Sequence, residues 1–421
     1  MSLKLSASDQ SMLAGKHGPA PQMALEILVR MAEVYSANEL LDISGAHIDS
    51  TIYIGDAGLE YAERLAGLGA RVAVPTTLNV SGLDEMRWQE WDVNRDWALA
   101  AQRQMAAYQS MGAIPTWTCA PYQTRWQPRF GQQIAWGESN AIVYANSVIG
   151  ARTERYPDLL DICCAITGRA PAAGLHLAEN RAGQLLLKLV EIPETLQQAD
   201  DFYPVLGHLV GGIARDRIPV LDGIKATPTS DQHKAFGAAA ASSGTVALYH
   251  MVGVTPEAPT LKSAFQGKEP EGTFEITIGD LRAARLELTS AQGELLDMVA
   301  LGCPHFSIEE FMKLAALVAG KHAHPQVLFH ITTNRLQFEK ADRAGLIEPL
   351  RNFGARFTTD TCILATPMLN PEIKNLMTNS GKYAYYSPGM LKAEVSYGSL
   401  ADCVRSAITG RVVLDDSIWD G

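Results

Sequence analysis

Apolar residues recur at Met23, Ile27, Met31 and Val34 with polar positions between them, the spacing of an amphipathic helix between Pro21 and Asn38. LLDISGAHIDSTIY then reads as a strand that breaks into a loop at Gly45 and leaves His47 and Asp49 at its mouth. GDAGLEYAERLAGLGA is helical and RVAVPTTLNV strand-like, so helix feeds strand as in an α/β layer. A strand-like AIPTW delivers Cys119 into a CAPY turn. From Ser139 onward SNAIVYANSVIG has helical spacing. Ser139 and Asn146 are seven apart, as are Asn140 and Ser147, which predicts two polar rows on nearly one face. After Leu288 the pattern becomes regular: GELLDMVALGCPH, QVLFHITT and ARFTTDTCILATP are strands, separated by SIEEFMKLAALVAG and LQFEKADRAGLIEPLRNFG as helices. The first of these helices opens on a Ser307-x-x-Glu310 capping box. Strand-helix-strand-helix-strand implies a parallel sheet, and it puts Cys303 and Cys362 near carboxyl ends of strands, where open α/β sheets bind ligands.

The run from Gly112 to Thr153 stands apart from this background. It gathers Cys119, Glu138, Ser139, Asn140, Asn146, Ser147, Arg152 and Thr153 among glycine, proline, tryptophan and small apolar residues. Burying such polar groups without partners costs a few kcal/mol each, so they must bond to one another or to a ligand. Each also has a plain structural reading. Small polar residues let a second helix approach closely, and Glu138 can simply complement the positive end of the helix that follows it. His47 reads as a structural loop histidine until something else recruits it. Lys382 follows a glycine in TNSGKYAYY, but Leu376 and Tyr383 stand where a phosphate-binding loop needs Gly and Ser or Thr, so its spacing favours solvation. GLGARV precedes a strand and lacks a third glycine, which excludes a dinucleotide fingerprint.

Composition narrows the function classes. A chain of 421 residues, 47% hydrophobic, calls for more than one lobe. We divide it into an N-terminal region, residues 1–285, of more than one lobe, and a C-terminal α/β lobe, residues 286–421. The formal net charge of -11 argues against nucleic acid or an anionic membrane as partner. The absence of an apolar leader or a bilayer-length apolar run makes the cytoplasm the expected compartment. The six cysteines form no disulfide framework and no C-x-x-C pair; Cys163, Cys164 and Cys403 read as packing residues.

AGKHGPAPQMALEIL, ISGAHID, TCAPY, AWGESNAIVYANSVIGART, GCPH, DTC and NSGKYAYY, in that order, resemble the large subunit or large domain of aconitase X, from about Met12 to about Gly410. The resemblance implies an aconitase-like, multi-lobed α/β architecture with parallel sheets flanked by helices. It further implies a dehydratase whose iron–sulfur cluster is held by Cys119, Cys303 and Cys362. Arg152 and Lys382 suit a small anionic hydroxy-acid substrate, and His47, Asn140, Asn146, Ser147 and Thr153 suit its orientation. Glu138, Ser139 and His305 suit proton handling. Characterised members act on cis-3-hydroxy-L-proline or on mevalonate 5-phosphate. With 19% charged residues the chain lacks the Lys and Glu enrichment of hyperthermophilic proteins, which favours the first. A small swivel-domain subunit is expected as partner, because RVVLDDSIWDG after the family segment is too short for that domain. A non-catalytic iron–sulfur regulator and a nicotinamide-dependent oxidoreductase are the competing readings from other classes.

Overall fold

Short apolar runs bounded by glycine and proline form the strands of three α/β units in the computed structural model, which describes residues 3–420. In the first unit, β1 (Leu40–Asp42), β2 (Ala46–Ile48), β3 (Thr76–Leu78), β4 (Ala135–Trp136) and β5 (Arg169–Pro171) make two small sheets. β2 lies between β3 and β4 in a parallel sheet, whereas β1 pairs antiparallel with β5. The loop expected after the break at Gly45 is therefore a second strand, β2, which carries His47, because the chain changes partners between Asp42 and Ala46. RVAVPTTLNV contracts to Thr76–Leu78, since Pro75 has no amide hydrogen to give to a ladder.

The second unit contains β6 (Leu185–Leu189), β7 (Pro219–Asp222), β8 (His250–Met251) and β9 (Gly272–Ile276), all parallel in the order β8-β7-β6-β9. Its helices Phe202–Ala214 and Ser230–Ser243 approach closely. A Cβ on Gly207 would come within 2.3 Å of the Phe236 carbonyl oxygen, so only glycine permits the contact. The third unit holds β10 (Met298–Leu301), β11 (Leu328–Thr333), β12 (Ala355–Thr359), β13 (Asn375–Thr378) and β14 (Glu394–Tyr397), parallel in the order β12-β11-β10-β13-β14. The chain runs outward from β10 to one side and then to the other, which makes the carboxyl end of β10 a topological switch point. Ser307 and Glu310 form the expected capping box of helix Ile308–Val318. Phe202, Tyr203 and Phe236 share one apolar core with Met298, Ala300 and Tyr383, so the second and third units are packed as one body. Among the described residues no helix is long and apolar enough to cross a membrane.

The segment from Ser139 departs from expectation. It is α-helical over Ser139–Tyr144 and a π-helix over Ala145–Ile149. The wider turn rotates everything after Tyr144, so the polar rows separate instead of sharing a face. Ser139 and Asn140 meet Glu138, whereas Asn146 and Ser147 bond to the second unit.

That junction is held by Arg181, whose side chain is 1% exposed. It donates to Glu257 (2.8 Å), the Asn146 side-chain oxygen (3.1 Å), the Asn146 carbonyl (2.9 Å) and the Leu175 carbonyl (3.0 Å). Removing one member of a buried ion pair costs about 3–5 kcal/mol, and the partial exposure of Glu257 places Arg181→Ala near the lower end. Urea unfolding followed by circular dichroism should show that loss, with Arg181→Lys recovering only part because an ammonium cannot span the same acceptors.

Candidate active site

Parallel strands in register end on one edge, and the first sheet uses that edge to assemble polar groups. Asp49 follows β2, Asn79 follows β3, and Glu138 lies two residues past β4. The Asn79 amide donates to Asp49 and, at 3.3 Å, to Glu138. The third sheet supplies the opposite wall in the same way: Cys303 follows β10, Cys362 lies just beyond β12 and Lys382 just beyond β13. Ser81 and Thr361 tie the two edges together, since the Ser81 amide donates to the Asp360 carbonyl (2.8 Å) and the Thr361 hydroxyl to the Ser81 carbonyl (2.8 Å).

Glu138 is the hub. It is the N-cap of helix Ser139–Tyr144, and its Oε1 accepts from Lys382 Nζ (2.7 Å), Asn140 Nδ2 (2.9 Å), Ser139 Oγ (3.1 Å) and the Asn140 amide (3.3 Å). Burial works to raise this carboxyl, but the Lys382 ammonium and the Asn140 donors outweigh it and hold it down at about 2. Burial works against the charge on Lys382, yet Glu138 lifts its pKa well above the ordinary lysine value. Lys382, which its spacing placed in solvent, is thus a committed ion-pair partner with 15% side-chain exposure.

Asn140 continues the network, donating to the Cys119 carbonyl (2.9 Å) and accepting from the Tyr122 hydroxyl (2.7 Å). Cys119, Cys303 and Cys362 are partly exposed, whereas Cys163, Cys164 and Cys403 are buried. Burial pushes the Cys119 thiol up to about 12, with Glu138 adding and Lys382 and the His305 amide opposing. Cys303 is raised by burial and by Cys362, and Cys119 contributes, so the three sulfurs feel one another. Among the described residues no three His, Cys, Asp or Glu side chains converge on a single metal ion. A multi-iron cluster requires no such convergence, because each thiolate takes a different iron. Three neighbouring, accessible thiols beside one ammonium fit such a group, and coordination reverses the cost of ionising them.

The other residues singled out from the sequence serve the frame. His305 donates its amide to Cys119 Sγ (3.3 Å), and its ring contacts Thr118 Oγ1 (3.1 Å) and the Thr361 carbonyl (2.9 Å); burial keeps it neutral, at about 4. His47 is fully buried, bonded to Thr77 Oγ1 (2.8 Å), and burial lowers it to about 3. Asn146 and Thr153 bond to each other, Thr153 accepts from the Trp136 amide (3.0 Å) and Ser147 from the Tyr249 amide (2.9 Å). Arg152 reaches the His176 carbonyl (3.5 Å). The structure therefore brings together Glu138, Ser139, Asn140, Lys382 and the three cysteines, while Asn146, Ser147, Arg152 and Thr153 bond elsewhere. Sequence reasoning missed Asp49 and Asn79 as members of the site. Their only signal was position, each one residue past the end of a parallel strand. A cavity of about 500 Å³ lies behind the Cys303 loop, between helices Ser230–Ser243 and Ile308–Val318, with Cys303, Ser380 and Gly381 in its wall.

Thiols, carboxyl groups and an ammonium gathered at the carboxyl ends of parallel strands are the equipment of an enzyme of elimination chemistry, a hydro-lyase. Comparison with known proteins specifies which kind. Family models for the first, third and second domains of Aconitase X match residues 2–179, 296–409 and 183–286. The chain is 48% identical over 412 residues to a cis-3-hydroxy-L-proline dehydratase of Pseudomonas aeruginosa, covering 97% of this chain and 70% of that one. It is 36% identical over 405 residues to the phosphomevalonate dehydratase large subunit of Methanothermobacter thermautotrophicus, covering 95% and 98% respectively. The crystal structure of Thermococcus kodakaraensis aconitase X in its holo-form superposes with a TM-score of 0.86 at 31% identity, over 96% of this chain and 100% of that one. The chain belongs to the aconitase X family, with the multi-lobed α/β fold its sequence led us to expect.

The ion pair sets a pH dependence. A carboxyl held below its ordinary value contributes stability that is present above its unfolded pKa and lost as pH falls through the folded one. Lys382→Met removes the ammonium and lets burial raise Glu138. Thermal unfolding of the iron-free chain should therefore show the variant well below the native protein at about pH 6, with the gap narrowing toward about pH 3. A gap independent of pH would separate the two residues' contributions.

Proposed function

We propose that this chain is the large, cluster-bearing part of a dehydratase that converts cis-3-hydroxy-L-proline to an enamine, which tautomerises to 1-pyrroline-2-carboxylate. The observation that carries the reading is identity: 48% and 45% to two cis-3-hydroxy-L-proline dehydratases, against 33–36% to five phosphomevalonate dehydratase large subunits. The charge of the rim supports it. Asp49, Glu138 and Asp161 face one ammonium, Lys382, a balance that accommodates the ring ammonium of an amino acid better than a phosphate dianion. One observation favours the second reading, phosphomevalonate dehydration: those large subunits are matched over 94–99% of their own length.

In this reading Cys119, Cys303 and Cys362 hold an iron–sulfur cluster, which when bound supplies a Lewis acid for the substrate's oxygen groups. Lys382 orients the substrate carboxylate and balances the charge that develops on it, while Asn140, whose two amide hydrogens go to Glu138 and the Cys119 carbonyl, holds those groups in place. Glu138 keeps Lys382 charged, and Ser139, bonded to both, lies where a proton can be passed. His305 holds the Cys119 loop against the third unit. His47, Asn146, Ser147, Arg152 and Thr153 keep the wall rigid. A small swivel-domain subunit covers the rim, excludes water and provides the base for the C2 proton; the name large subunit borne by the phosphomevalonate relatives supports such a partner. We assign the assembly to the cytoplasm.

Single Cys119→Ser, Cys303→Ser and Cys362→Ser variants should lose iron and visible absorbance while keeping the native circular dichroism spectrum. Cys163→Ser and Cys403→Ser should retain the metal, and the reverse pattern would falsify the ligand assignment. Anaerobically prepared chain, assayed with a small swivel-domain subunit, should consume cis-3-hydroxy-L-proline and leave mevalonate 5-phosphate untouched. Selective consumption of the phosphate ester establishes the second reading, and full activity without the small subunit removes the partner from the proposal.

A further inference from the structure

Asp49 is the one carboxyl group of the rim whose second oxygen is uncommitted. Its Oδ1 takes the Asn79 amide, its own amide donates to Asp161 (2.6 Å), and among the described residues Oδ2 meets no protein donor, on a residue that is partly exposed. The fold spends several contacts on holding it there. Gly137 passes so close that a Cβ at that position would lie 2.7 Å from Asp49 Cβ and 2.6 Å from Asp161 Oδ2. The remaining titratable groups of the wall are occupied. Glu138 is ion-paired, both ring nitrogens of His305 are engaged, and His47 is sealed in the sheet.

Resting on the dehydratase reading above, we propose that Asp49 is the catalytic acid of the elimination, delivering its proton from Oδ2 to the departing hydroxyl. The C2–H bond breaks with its proton passing to the base, and its electron pair becomes the C2–C3 double bond. The C3–O bond breaks toward oxygen, which takes the Asp49 proton and leaves as water. Asp49 remains as a carboxylate and the base remains protonated; exchange with solvent after product release restores both, so the reaction needs no other reactant. The surroundings favour a resting acid. Burial, followed by Glu138, Asp161 and Asp158, raises the Asp49 carboxyl well above its ordinary value, and Lys382, the single opposing charge, is committed to Glu138.

The test is a leaving group that needs no proton. With the swivel subunit and cluster in place, Asp49→Asn should lower kcat on cis-3-hydroxy-L-proline by about 10²–10⁴-fold with little change in KM. The same variant should turn over cis-3-chloro-L-proline, whose chloride departs unprotonated, at close to the native rate. Asp49→Glu, which keeps the proton, should recover part of the loss, and native iron content and thermal midpoint in all variants exclude a folding defect. An equal fall on both substrates, or no fall on either, overturns the role of Asp49 alone. Failure of the native enzyme to act on the hydroxyproline overturns the functional reading, and this assignment with it.

Discussion

The ion pair between Glu138 and Lys382 is the interaction on which the rest of the site depends. It joins the carboxyl edge of the first sheet to that of the third across 244 residues of sequence. Neither charge is stable in that position alone, because burial opposes both. Once paired, Glu138 becomes a fixed acceptor that orients Asn140 and Ser139, and Asn140 in turn fixes the carbonyl of Cys119. The ammonium opposes, without overturning, the burial that keeps the neighbouring thiols protonated. A single electrostatic contact thus fixes the charge of its two members and the orientation of the surrounding groups.

Much of this frame is written in local patterns. The capping box at Ser307 marked a helix start, and the regular alternation after Leu288 marked a parallel sheet whose strand ends carry Cys303 and Cys362. Those readings hold because each depends on residues close in sequence. The exceptions have physical causes of longer range. Pro75 shortened a strand by withholding a donor, and the π-helix at Ala145–Ile149 rotated Asn146 and Ser147 toward the second unit, where Arg181 and Tyr249 receive them. Lys382 looked solvated because its counter-ion lies in another sheet. Asp49 and Asn79 went unassigned because no motif marks a residue one step past a strand; only the parallel register of β2, β3 and β4 brings them together.

The polar residues of the 112–153 stretch illustrate how burial constrains without specifying. The expectation that such groups must find partners is met by protein groups of two kinds. Asn146 and Thr153 satisfy each other, and Arg181 completes the set. Asn140 and Glu138 complete theirs only with help from the third unit. The same physical rule therefore produced a structural knot at one end of a short helix and a reactive rim at the other.

The separation of Glu138 and Lys382 along the chain also orders events in time. During synthesis at about 5–20 residues per second, roughly 10–50 s pass between the emergence of the two residues. Until Cys303 emerges, the nascent first unit presents an uncompensated carboxylate and, of the three rim thiols, that of Cys119 alone, and Lys382 is the last of the set to leave the ribosome. The rim cannot be completed on the N-terminal lobe alone. Its assembly waits for the last sheet, which makes chain completion the checkpoint for closing the site.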